Sequence, residues 1–209
     1  MIHALTYQEM LEKIGDKARE HGIIDQYIGI LITRPDLETG KNILSSLEYY
    51  HHLTAENTYF YLPGYGAYWY GTYPDGKVVT EIDGVQWSFS NKEFVKFIDE
   101  MEKYSKWVYS GESELLLLHV ENGILSYEVM MQFRLDHMLR DGVIDSIPSY
   151  FQGLYRLLKD KETLEEISNA LGKNKLMEVV GSKMLDKLPA DLGKVITQEK
   201  YFCVKNVKR

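Results

Sequence analysis

The 209-residue chain has one cysteine, five prolines and no long apolar run. Each scarcity excludes something. Cys203 is alone, so no intrachain disulfide can form; a reducing compartment follows as the expected home, and the cytoplasm as the expected location. A membrane-spanning helix needs about 20 apolar residues, and the longest run here is the leucine stretch of "ELLLLHV". The start, "MIHALTYQEM", lacks a basic segment followed by an apolar one, so it does not read as a signal peptide. The few prolines are scattered, and no Pro- or Gly/Ser-rich linker divides the chain.

Positive charge is also short, with a formal net charge of −7. The acidic excess lies within residues 1–155, whereas residues 156–209 carry more Lys and Arg than Asp and Glu. An acidic body repels phosphate backbones, so nucleic acid is not an expected partner. No G-x-S-x-G elbow is present, and Cys203 sits in an apolar stretch rather than an electropositive one, which argues against hydrolase and thiol chemistry. His51 and His52 are adjacent on a helix, about 100° apart, and share a metal poorly. His119 and His137 have no Cys or carboxylate at ligand spacing, so no metal site is expected from sequence, and no particular cofactor is indicated.

What is present reads as an α/β fold. "TYQEMLEKIGDKAREHG" places Tyr7, Met10, Leu11 and Ile14 on one helical face. "QYIGILIT" is apolar at nearly every position, as a strand covered on both faces should be. A helix follows, with Asp36 as its expected cap and Ile43, Leu44, Leu47 and Tyr50 on its buried side. "TYFYLP" is then a second strand. Strand, helix, strand makes a βαβ unit with parallel neighbours.

Beyond it, "AYWYGTYPDGKVVTEIDGVQWSFS" carries turn signals at Pro74-Asp75-Gly76 and Asp83-Gly84, the mark of an antiparallel meander. A helix capped by Ser90 or Asn91 buries Phe94, Phe97, Ile98, Met101 and Tyr104, and Gly111 is expected to close it. "ELLLLHV" pairs through Asn122-Gly123 with the clearest alternation in the chain. Leu125, Tyr127, Val129, Met131, Phe133 and Leu135 share one parity. Glu128, Met130, Gln132, Arg134 and Asp136 share the other, and that face is expected to meet solvent.

From Ser146 the chain reads as helical, with "KYFCVKNV" returning as an edge strand. "TLEEISNALGKNKLMEVV", residues 163–180, partly fits a helix-turn-helix, but Glu178 falls where an apolar residue belongs, so a helical hairpin is the better reading. The expectation is therefore a mixed sheet, built from the βαβ unit, the meander and the hairpin, flanked by helices. Residues 1–145 form a Rossmann-like domain, and residues 146–209 form a helical portion packed on the same core.

Ligands of open α/β sheets gather beyond the C-terminal ends of parallel strands. Two such ends are visible. "TRPDLETGKN", residues 33–42, leads into a helix N-terminus, where Arg34, Thr39 and Lys41 could hold an anion and Glu38 could act as nucleophile or base. It is not a P-loop: Asn42 follows Lys41, and no glycine lies five residues before Gly40. The second end, "LPGYG", opens residues 59–76, which hold six of the sixteen tyrosines. Tyr59, Tyr61, Tyr68 and Tyr70 suit a sheet, while Tyr65, between two glycines, is the candidate to stack on a ligand.

Two functions follow as expectations. One is a Rossmann-like domain binding a nucleotide or other small phosphorylated ligand, with cleavage as an extension of that reading. The other is a non-catalytic subunit of a bacterial multi-component stress or defence system, meeting a protein partner or another copy through residues 59–87.

Overall fold

The computed structural model describes residues 2–4, 6–21, 25–54, 59–69, 71–159 and 200–209. Among them the chain is mixed α/β. Its larger sheet has six strands in the order β1-β3-β2-β7-β8-β9, and its smaller sheet three in the order β4-β6-β5. Strands β1 (Ile2–Ala4), β3 (Tyr59–Pro63) and β2 (Asp25–Ile32) run parallel. Strands β7 (Glu114–Glu121), β8 (Ile124–Arg134) and β9 (Phe202–Lys205) continue antiparallel, with β7 beside β2. The expected βαβ unit, Asn122-Gly123 hairpin and C-terminal edge strand are all present.

The central strands carry their reason in their composition. Ile28, Ile30, Leu31 and Ile32 of β2 and Leu115 to Leu118 of β7 have no exposed surface, because helices cover both faces of the sheet. One group is α1 (Tyr7–His21) with α4 (Asn91–Tyr104), joined by the edge-on contact of Tyr7 with Phe97. The other is α2 (Glu38–Ser45), α3 (Leu47–Thr54) and α6 (Ile147–Lys159), where Tyr50 and Phe60 both meet the ring of Phe151. A short helix, α5 (Leu135–Arg140), follows β8.

Several expectations are corrected. Asp36 does not cap α2; the helix starts later, Leu37 stands at its N-cap with no side-chain hydrogen bond, and Asp36 turns to Arg34 instead. The single helix expected after β2 breaks at Ser46, yet Ile43, Leu44, Leu47 and Tyr50 are all buried across the break. Ser90 does cap α4, its hydroxyl accepting from the Glu93 amide at 3.2 Å, but α4 ends at Tyr104 rather than near Gly111. Its last turn is satisfied by Ser105, and the chain then extends so that Trp107 can enter the core. Tyr104, expected on the buried stripe, is half exposed.

Strand β8 also stops short of the alternation, since Leu135 and Asp136 begin α5. Its polar parity is not all solvated. Glu128 is exposed and paired with Lys208, but Met130 and Gln132 are buried. The register of β7 with β8 shifts between Leu118 and Val120. Such an irregularity changes which parity faces which helix layer. Thus Tyr127 bonds Tyr7 of α1, while Phe133, of the same parity, meets Tyr150 of α6.

In the smaller sheet β4 (Tyr65–Ala67), β5 (Lys77–Ile82) and β6 (Val85–Phe89) are antiparallel but not the simple meander expected: β6 lies between β4 and β5, and only β5 and β6 form a hairpin, closed by Asp83-Gly84 with both residues at positive φ. Tyr68 is not a sheet residue: it sits at φ 62, just beyond β4, and is 82% exposed. Tyr70 and the helix-turn-helix-like residues 163–180 lie outside the described residues.

Candidate functional site

The sheet topology brings three chain segments to one end. Strand β2 finishes there at Ile32, antiparallel β7 begins there, and β8 finishes there before α5. Thr33 and Ser113, at the ends of β2 and before β7, join hydroxyls at 2.8 Å and are both buried. The Ser113 amide donates to the Asp136 carboxylate. The two strand ends singled out from sequence do meet here, for the Tyr65 hydroxyl donates to the Thr33 carbonyl at 3.2 Å.

That contact revises the role expected of Tyr65. Its ring has no exposed surface and leans on Phe89 at 4.7 Å between centroids. Burial, the dominant cause, raises its phenol well above the ordinary tyrosine range, and the charge of Asp36 adds to this. Tyr65 therefore supports the floor of the strand end, and neither face of its ring is open for stacking. Of the other tyrosines in residues 59–76, Tyr61 is buried in β3, and Tyr73 packs against Trp69.

Arg34 follows Thr33 at this strand end. Its Nη2 donates to Asp36 at 2.9 Å, and its side chain is 39% exposed. Its Nε is buried without a hydrogen-bond partner among the described residues, as is the hydroxyl of Tyr109. The two groups feel each other: burial pushes the Tyr109 phenol up to about 12, against which the Arg34 charge pulls down most strongly. A buried donor left unpaired costs about 1–3 kcal/mol, and more when it is charged. An anion accepting from both would recover that cost.

The start of α2 faces the same turn. A Cβ on Gly40 would lie 1.8 Å from the Arg34 carbonyl oxygen, so only glycine lets the first turn of the helix approach so closely. With no side chain capping it, the first turn keeps its amides and the positive end of its dipole for another acceptor. The other expected residues are dispersed. Thr39 is buried, while Lys41 and Glu38 are mostly exposed and lie 3.8 Å apart as an i,i+3 pair. Glu38 therefore faces solvent and Lys41 rather than the buried groups of the strand end.

Sequence reasoning missed the polar network beneath this end. Glu114 has no exposed surface, and its carboxylate accepts from Gln132 Nε2 at 2.8 Å, Trp107 Nε1 at 3.2 Å and the Ser110 amide at 3.3 Å. Beside it Glu112 accepts from His137 Nε2 at 2.7 Å and Arg140 Nη1 at 3.3 Å. The one signal available was a glutamate opening an otherwise apolar strand. A buried charge needs paired donors, but these come from residues as far as Gln132.

Comparison of the chain with protein-family models, with curated proteins and with solved structures finds no match. The functional reading therefore rests on this geometry.

Proposed function

We propose that this protein binds a small phosphorylated ligand, of the nucleotide class, at the carboxyl end of β2, with Arg34 as its anion-holding residue. The observation that carries the reading is the Arg34 Nε, buried and without an acceptor among the described residues, as is the Tyr109 hydroxyl, which feels the Arg34 charge. The uncapped start of α2 adds amide donors to the same place. That the β2–α2–α3–β3 crossover carries these groups at the carboxyl end of a parallel strand, where open α/β sheets gather ligands, supports the reading. The proposal is one of binding: Glu38, exposed and paired with Lys41, lends no support to cleavage.

A thermal-shift screen against nucleotides, dinucleotides and sugar phosphates tests it. A ligand at one hundred times its Kd adds about 2.7 kcal/mol of stability. Arg34→Ala should abolish that shift, and Tyr109→Phe should reduce it. A shift that survives Arg34→Ala places the ligand elsewhere, and no shift with any anion overturns the reading.

One observation favours the second reading, a protein-interaction subunit. Tyr68 stands 82% exposed beside a hollow lined by Trp69, Val78, Val85 and Gln86, and Val78 is itself 53% exposed. Solution mass is its measure: a larger species that Tyr68→Ser returns to monomer would favour docking here, and a strict monomer would count against self-association.

A further inference from the structure

A separate cluster lies where α3 meets the turn between β5 and β6. Glu48 and His52 are four residues apart on α3, so their side chains rise from one helical face. Asp83, at the head of the β5–β6 turn with φ 50, approaches the same face. His52 Nε2 and Asp83 Oδ1 are 3.0 Å apart, and the Asp83 amide donates to Glu48 Oε1 at 3.3 Å. One ligand atom from each of the three lies within 4.8 Å of the others.

We propose that Glu48, His52 and Asp83 bind a divalent transition-metal ion, with Zn2+ as the type case, which clips α3 to the β5–β6 turn. Zinc takes imidazole nitrogen and carboxylate oxygen at about 2.0–2.2 Å in a tetrahedron, which sets ligand atoms roughly 3.3 Å apart. The His52–Asp83 pair already has that spacing, and Glu48, exposed, needs only a rotamer change to join it. In the apo protein this contact is an Nε2–H···O hydrogen bond. To bind Zn2+ the ring adopts the Nδ1–H tautomer, so its proton moves from Nε2 to Nδ1 with none released, and water fills the fourth position.

The imidazole is what distinguishes this cluster from a patch of surface carboxylates, because nitrogen ligands select transition metals over Ca2+ and Mg2+. Charge agrees. Among the described residues no ion pair joins a lysine or arginine to Glu48 or Asp83. His52 lies in the last turn of α3, where the helix dipole is negative. The supporting frame is independent of the ligands: the Thr80 hydroxyl of β5 donates to the Leu44 carbonyl of α2 at 3.2 Å.

The test uses the full, tag-free chain, stripped with chelator and titrated with Zn2+ above the ordinary histidine pKa of about 6.5. Wild type should bind one equivalent and gain thermal stability. Co2+ in its place should show the intense visible bands of four-coordinate geometry. His52→Ala and Asp83→Asn should each weaken binding about tenfold or more, while His51→Ala should not. Far-UV circular dichroism confirms that these surface variants fold. Binding that is absent in wild type, or equal in wild type, His52→Ala and Asp83→Asn, overturns the proposal. Arg34→Ala should leave the zinc response unchanged, which separates this site from the anion site.

Discussion

The two sheets treat their aromatic and aliphatic side chains in opposite ways. In the six-stranded sheet Phe60, Tyr61 and Phe133 are buried to within 1%, because helices lie on both faces. In the three-stranded sheet burial is partial: Trp87 and Phe89 of β6 are buried, while β5 leaves Val78 half exposed and Tyr68, just beyond β4, stands in solvent. Coverage, rather than residue type, makes the difference. A tyrosine in "YFYLP" is core and a tyrosine five residues past its end is surface, although both belong to the same aromatic run.

The comparison is broken most severely by truncating one ring on each side of it. Phe133→Ala should cost about 3–5 kcal/mol, the range for removing a buried phenyl, whereas Tyr68→Ala should stay within about 0.5 kcal/mol. Paired denaturant titrations measure both, and a large loss at Tyr68 would mean that the smaller sheet is covered in solution.

The seam between the sheets gives the next effect. Gly64 turns β3 into β4 at φ 77, and a Cβ there would lie 2.6 Å from Phe94 Cβ. Gly64→Ala should therefore destabilise by about 1–3 kcal/mol through the positive φ and the crowding of α4 together. An unchanged denaturation midpoint would show that the seam is slack.

The smallest effect is in alkaline titration. The Tyr109 phenol, raised by burial to about 12 from 10.0, favours its neutral form in the fold. Its contribution is thus complete below about pH 10 and is lost as pH rises from there towards 12. Absorbance of phenolate should show one late-titrating tyrosine fewer in Tyr109→Phe, and stability of that variant should fall less steeply over the same interval. Ionisation of Tyr109 near pH 10 would place it in solvent instead.

The legible parts of the fold were those governed by local period and turn chemistry. The faces of α1 and α4, the continuous apolar strands β2 and β7, and the Asn122-Gly123 and Asp83-Gly84 turns each follow from a few neighbouring residues. Of the proposed anion site, Arg34 and its place at a strand end were legible, but the meeting of the two strand ends was not, because it depends on which strands are neighbours. Tyr65 was read as a stacking group because the glycines around it signal an exposed turn; Gly64 does turn the chain, but it turns Tyr65 inward beneath Thr33. Tyr109 and Glu114 went unread because their partners are remote and their residue types are ordinary.

By itself the sequence determined most of the helices and strands, though not β1 or α5, and that those strands form a mixed sheet, because hydrophobic period and turn residues act over a handful of positions. Only the tertiary structure decided which polar groups are buried and what they meet. The shift of register between Leu118 and Val120 and the helix layers on both faces put Gln132 against Glu114 rather than into water. The same holds for Asp83, brought to His52 across a gap of 31 residues. Such meetings depend on the order of strands and the docking of helices, which are set by the burial of the whole core at once.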